Sequence, residues 1–224
     1  DKVDGEFGYF ERVFKKVGGK AKDLVQSTKL FMYNRLSECF SINRIISGYN
    51  NLLFEKLNFS KDPNERLLYR NLERLGINFD FIMKRHQVFV HDEDLVSDTQ
   101  YIDFSSSYFE GEKSELAEYG YSRDCQPNKK QLTFGISTGI NEIPTALTIQ
   151  KGNVQDKVHF KFMLKTSEAV LEKNSLLVFD TGANTKENKR LIREKGKTID
   201  EYITEEGIIT TKGVLQKALC EIEN

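Results

Sequence analysis

Hydrophobic and polar positions change their spacing about midway along the chain. Residues 24–38 place Leu24, Leu30, Phe31, Asn34 and Leu36 near helical spacing without Gly or Pro. Residues 43–57 repeat this more weakly, with Gly48 inside, and are expected to form one helix. Asp62 followed by Pro63 and Glu65 reads as an N-cap, a first-turn proline and an Asp-x-x-Glu capping box. The stripe Leu67, Leu68, Leu72, Leu75 follows, with Gly76 suited to the position after the helix. A further helix is expected over 78–90, and His91, Asp92, Glu93 and Asp94 read as a solvated hinge.

Beyond residue 98 the period shortens to that of strands. Residues 99–104, 130–137 and 143–149 read as three strands, the last two joined by a link containing Gly139 and Asn141 that predicts a hairpin. Residues 155–173 predict a helix with Val158, Phe162, Leu164, Ala169 and Leu171 as its apolar bulk. The run Ser175 to Asp180 is continuously apolar up to its final acid, as in a strand buried on both faces of a parallel pair. Another helix is expected at 184–195, and a last one carries Val214, Leu215, Ala218, Leu219 and Ile222. This order predicts a mixed α/β (α+β) fold: a helical region over 1–98, then a mixed sheet with flanking helices over 99–224. The polar stretch 105–129 is too long for an ordinary connection and reads as functional.

Composition narrows the possibilities. The 224 residues carry 33 basic and 34 acidic side chains, a net charge of -1, so nucleic-acid binding must rest on local patches. Three cysteines (Cys39, Cys125, Cys220) without ligand spacing read as free thiols and fit a reducing compartment. No apolar run is long enough to span a bilayer, and the opening DKVDGEFGYF lacks the apolar core of a signal peptide. It also lacks a Met, so the chain is expected to begin inside a longer product. No phosphate-binding glycine loop or serine-hydrolase elbow is present, and His86 and His159 read as ordinary helix residues.

Two acids invite chemistry. Asp103 lies inside the apolar strand Tyr101–Phe104, and Asp180 closes the run Leu177–Phe179. An ionised carboxylate in such a setting is costly unless something pairs with it. If their strands are parallel neighbours, the two carboxylates converge at strand spacing, and hard oxygen ligands suit Mg²⁺ or Mn²⁺. Two such ions are the common machinery for in-line attack at a phosphodiester. The simpler alternatives are a helix N-cap for Asp180 and backbone hydrogen bonds for Asp103.

Four segments carry a resemblance: Tyr101–Phe109 around Asp103; Glu118–Gln131, similar to Gly-Tyr-Ser-Arg-Asp-x-x-Pro-x-x-x-Gln; the hairpin with Pro144, then Gly152-Asn153 and Asp156; and Phe179–Gly196, where the acid precedes Gly182 and an Asn-rich helix start. Together they resemble the DDE-type insertion-sequence transposases of the insertion-sequence-four superfamily. The helical segment around Tyr33, Asn34, Arg35 and Leu36 is similar to the region these enzymes carry ahead of the core. Cys125, Gln126 and Asn128 depart from that family's pattern.

The resemblance implies an RNase H-like core and DNA transposition by metal-dependent phosphodiester hydrolysis and strand transfer. Asp103 and Asp180 would be the first two acids, holding Mg²⁺ or Mn²⁺. The partners implied are double-stranded DNA at element ends and target, with a possible homodimer and no membrane, in the cytoplasm of a prokaryote at its nucleoid. The third acid, a Glu, stays unassigned: only 44 residues follow Asp180, and Glu201, Glu205, Glu206 and Glu221 lack the family's surrounding pattern. A chain lacking its C-terminal part is the expectation. The alternatives are a catalytically inactive derivative that binds DNA or a transposase partner, and an unrelated metal-dependent nuclease. Phosphate contacts are expected from Arg123, Lys129 and Lys130 beside the long loop and from Lys186, Lys189, Arg190 and Arg193 on the last core helix. A solvated helix face with i,i+4 pairs is the simpler reading of the latter group. Tyr119 and Tyr121 are candidates to stack on an unpaired base.

Overall fold

A computed structural model describes residues 5, 7–17, 21–59, 61–111, 113–121, 125–126, 128–172, 175–195 and 198–199. Arg123, Cys220, the acids Glu201, Glu205, Glu206 and Glu221, and the helix expected around 214–222 lie outside the described residues. The chain divides into two compact units, residues 1–89 and 90–224.

The first unit is helical: α1 (Tyr9–Phe14), α2 (Ala21–Leu36), α3 (Ile42–Gly48), α4 (Asn51–Lys56), α5 (Glu65–Ile77) and the start of α6 (Phe79–Asp92). Leu30, Ile45, Phe54 and Leu68 form its buried centre. The single helix expected over 43–57 is two. Asn50 breaks it by adopting extended backbone and accepting a hydrogen bond from Leu52 N at 3.0 Å, which starts α4. Gly48 is tolerated at the end of α3 because the Phe40 ring fills the space a β-carbon would take, at 2.5 Å.

Two further expectations are corrected in α5. Its N-cap is Asn64, whose side chain accepts from Leu67 N at 2.9 Å, so Asp62 precedes the helix without capping it. Gly76 lies within the helix, which ends at Asn78. Its inward face is Leu68 with Asn71, while Leu72 is exposed. Asn71 belongs inside because its amide donates to Ser27 Oγ at 2.8 Å and to Asp23 O at 3.1 Å, tying α5 to α2. The expected hinge starts late: His91 and Asp92 still belong to α6.

The second unit is a five-stranded mixed sheet with helices packed on it. Its strands are β1 (Thr99–Phe109), β2 (Lys130–Gly139), β3 (Pro144–Lys151), β4 (Leu176–Phe179) and β5 (Thr198–Ile199), in the order β3-β2-β1-β4-β5. β2 runs antiparallel to β1 and β3, whereas β1, β4 and β5 are mutually parallel. Helices first and then this mixed sheet make the expected α+β class. The hairpin forms at the predicted link, where Glu142 N donates to Gly139 O at 2.9 Å. α7 (Asp156–Ser167) returns the chain over β2 and β3, and α8 (Lys186–Glu194) packs beside it.

The core holds Ile102, Phe104, Phe160, Met163, Leu177, Phe179 and Ile192. Val158 and Phe162, expected as apolar bulk, are substantially exposed on α7, and Phe160 and Met163 turn inward in their place. β1 is longer than predicted: its small, polar residues Ser105–Ser107 still pair with Thr133 opposite Ser106 and Leu132 opposite Ser107. That extension shortens the expected 105–129 loop. Glu118 narrows it further by bridging to Gln131, with N···O distances of 3.1 and 2.9 Å.

Candidate active site

Parallel pairing sets Tyr101 opposite Val178 and Ile102 opposite Phe179. Asp103 is the next residue of β1 and Asp180 the first beyond β4, so the register carried one step further would set them at the same height on segments ~4.8 Å apart. The carboxyl ends of parallel strands are where open α/β sheets place their ligands, because the strands end and the backbone turns away there. The expectation that β1 and β4 are parallel neighbours is met. The premise that Asp103 is buried is corrected. β1 alternates, burying Gln100, Ile102, Phe104 and Ser106 on one face, so Asp103 shares the exposed face with Tyr101. Its Oδ1 accepts from Phe104 N at 2.8 Å.

Asp180 is also exposed and adopts the capping role that a strand-ending acid suggests. It precedes a single 3₁₀ turn, Thr181–Ala183, and its Oδ1 accepts from Gly182 N and from Thr181 Oγ1 at 3.3 Å. A third carboxylate reaches the same glycine. A β-carbon on Gly182 would lie 2.7 Å from Asp156 Oδ2 and 3.2 Å from Asp180 Oδ1. Asp156 is the first residue of α7. The turn after β4 and the start of α7 therefore share one spot that only a glycine leaves open. The sequence marked Asp156 and Gly182 as parts of motifs without giving either a role; the signal was the spacing of Gly182 two residues after the strand-ending acid.

Carboxylate oxygens are the donors Mg²⁺ prefers, and one or two protein carboxylates commonly hold that ion while water and substrate phosphates complete its shell. Asp103 and Asp180 fit such an ion in donor type and number. Among the described residues, no group of three or more His, Cys, Asp or Glu is arranged to hold a metal.

The basic candidates fall into different settings. Lys129 donates to Glu110 Oε1 at 2.6 Å, and its ammonium also lies 4.4 Å from the Tyr108 ring centre. Lys130 opens β2 and is half-buried. On α8, Thr185 caps the helix through Asn188 N at 3.1 Å, while Asn188 and Ile192 turn inward. Lys186, Arg190 and Arg193 are exposed, Lys189 is half-buried, and Arg190 pairs with Glu194 at 3.4 Å, four residues on. Glu187 is drawn to Lys161 at 2.7 Å, and that partner holds its carboxyl below the ordinary range.

Gln131 is a structural residue whose role the sequence did not declare. Its Nε2 donates to Tyr121 O at 2.7 Å and to Gly152 O at 3.0 Å. It thereby straps the segment before it onto the sheet. Gly120 and Gly152 permit the approach, since a β-carbon on either would lie 2.0 Å from a backbone oxygen. Tyr119 and Tyr121 project from this strap, 61% and 87% exposed. Elsewhere, Cys39 and Cys125 are free thiols, and His86 accepts or donates a 3.1 Å hydrogen bond with Tyr9. No described helix is long and apolar enough to cross a membrane.

No protein-family model matches the chain, and no relative is found among curated proteins. Among solved structures, the chain is similar to the piggyBac transposase in a synaptic complex with hairpin DNA, at 10% identity and a TM-score of 0.49. That alignment covers 92% of this chain and 49% of the other. It is also similar to the Mos1 transposase paired-end complex with the left transposon end, at 7% identity and a TM-score of 0.34, over 77% of this chain and 57% of that one. The chain thus spans about half the length of the solved chains it matches.

Proposed function

We propose that this chain acts on DNA as a DDE-type transposase, with residues 1–98 as a helical region and 99–224 carrying the catalytic core. One observation supports the reading above the others: the parallel register of β1 and β4 runs to Ile102 opposite Phe179, and Asp103 and Asp180 are the next residue of each segment. In this reading the two carboxylates hold Mg²⁺ or Mn²⁺, which when bound makes water, and later a 3′-hydroxyl, a nucleophile toward a phosphodiester.

The chain's own residues supply position and charge. The backbone bond from Phe104 N fixes the Asp103 carboxylate, and the 3₁₀ turn fixes that of Asp180. Lys186, Lys189, Arg190 and Arg193 begin a few residues beyond Asp180, and Lys129 and Lys130 stand at the start of β2; in this reading they are the cations that phosphates meet.

The test is nicking of supercoiled DNA in Mg²⁺ or Mn²⁺. Asp103→Asn and Asp180→Asn should each abolish it and leave DNA binding in place. Nicking that persists in both variants would remove the assignment. A wild-type chain that binds DNA and never nicks it would favour a non-catalytic derivative of the same fold.

A further inference from the structure

The acid beyond β4 is held by a turn, and one buried side chain holds that turn. Asn188 lies on the inward face of α8 and is fully buried. Its Nδ2 donates to Ala183 O at 2.8 Å and to Lys157 O at 3.0 Å. Both acceptors are backbone carbonyls, so only the NH₂ end of the amide can face them. Ala183 closes the 3₁₀ turn, and its own N–H donates to Asp180 O at 3.3 Å. Lys157 is the second residue of α7 and follows Asp156, whose carboxylate crowds Gly182 of the same turn. One amide thus joins α8 to the turn that carries Asp180 and to the start of α7 that carries Asp156.

Stability is a poor account of this amide. Asn is a weak helix former, and Asn188 Oδ1 is buried without a hydrogen-bond partner among the described residues. Asn184 Oδ1, at the end of the 3₁₀ turn, is in the same state. A buried acceptor without a donor is a cost, and native proteins keep few of them. Leucine has nearly the same shape and would extend the apolar row to Ile192 in the core. It would not strand Ala183 O, which also accepts from Thr185 N at 3.0 Å. What leucine cannot do is donate to two carbonyls on two elements and so fix the turn against α7.

We propose that Asn188 is a positioning residue for the carboxylate of Asp180. The inference rests on the reading of Asp180 as a metal-holding acid and adds the residue that fixes that acid's turn. Asn188 acts through Ala183 and touches neither metal nor DNA. Partners that orient a metal ligand in this way are worth about 10–100-fold in metal affinity or activity when removed.

The test is Mn²⁺ binding to the full chain, read from the electron paramagnetic resonance signal of the free ion, beside nicking of supercoiled DNA. The wild type should bind Mn²⁺, and Asp180→Asn should lose that binding. Asn188→Leu should weaken it about tenfold or more with its circular dichroism intact. Asn188→Ala should weaken it likewise and serves if the leucine is not accommodated. Ile192→Ala opens a cavity on the same helix but removes no hydrogen bond; it should lower the urea midpoint and keep the wild-type Mn²⁺ affinity. Folded Asn188 variants that bind Mn²⁺ as the wild type does, while Asp180→Asn does not, overturn the positioning role and leave the metal reading standing. Equal weakening in Ile192→Ala, or unfolding of both Asn188 variants, overturns it by making the amide a residue of the fold alone. A wild type without Mn²⁺ binding that depends on Asp180 removes both readings.

Discussion

Gly182 and Asp156 are in such close contact that a β-carbon on the glycine would lie 2.7 Å from the Asp156 carboxylate. The glycine's φ is not in the left-handed region, so it is the space and not the backbone that excludes a side chain. Gly182→Ala should therefore cost little stability, about 1 kcal/mol or less, because the obstructing atoms are ends of side chains that can swing away. Asp156 and Asp180 would both have to move, and the cap bond from Gly182 N to Asp180 would be displaced. Nicking activity should fall at least tenfold while the urea midpoint barely shifts; full activity in Gly182→Ala would show that the spot need not stay open.

Gln131 and Gly152 make a graded pair of stability tests. Gln131→Ala removes the donor to two backbone carbonyls and should cost on the order of 2 kcal/mol, since one of those carbonyl contacts is fully buried. Gly152→Ala should cost more, because its β-carbon would meet Gln131 O at 2.0 Å and Glu118 O at 2.5 Å, both backbone atoms that cannot rotate aside. Thermal melts give the ranking. Limited proteolysis should show faster cutting around Tyr119 and Tyr121 in both variants; equal melting temperatures for wild type and Gly152→Ala would refute the strap.

His159 should make the sheet unit acid-sensitive. It is fully buried on α7, stacked near Phe104 with ring centres 4.9 Å apart, and its Nε2 shares a 2.8 Å hydrogen bond with Thr148 Oγ1. Nδ1 has no partner. Burial pushes its pKa down from 6.5 to about 4. The unfolded chain then binds a proton more readily than the folded one, so stability is full above pH ~6.5 and declines as pH falls toward 4. The loss over that window should be up to about 3 kcal/mol, and His159→Gln should flatten the pH dependence of the urea midpoint there. An equal slope in both proteins would place the acid sensitivity elsewhere.

The sequence alone carried the change from helical to strand spacing, the hairpin around Gly139 and Asn141, and the apolar run before Asp180 as a strand; that this strand pairs with β1 in parallel was only a condition there. These depend on local periodicity, turn chemistry and uninterrupted apolar runs, all of which are properties of neighbouring residues. Tertiary structure decided the rest. Asp103 reads as buried among Tyr101, Ile102 and Phe104, but pleating assigns alternate residues to opposite faces, and which face is covered depends on where α7 and α8 pack. Asn64 rather than Asp62 caps α5 because its side chain reaches Leu67 N, and Asn71 rather than Leu72 faces inward because Asp23 and Ser27 of α2 satisfy an amide that sequence patterns count as polar. The meeting of Asp156 with Gly182, and of Asn188 with Lys157, joins segments separated in the chain. Such contacts follow from how the backbone closes in space, which no short-range pattern of residue types encodes.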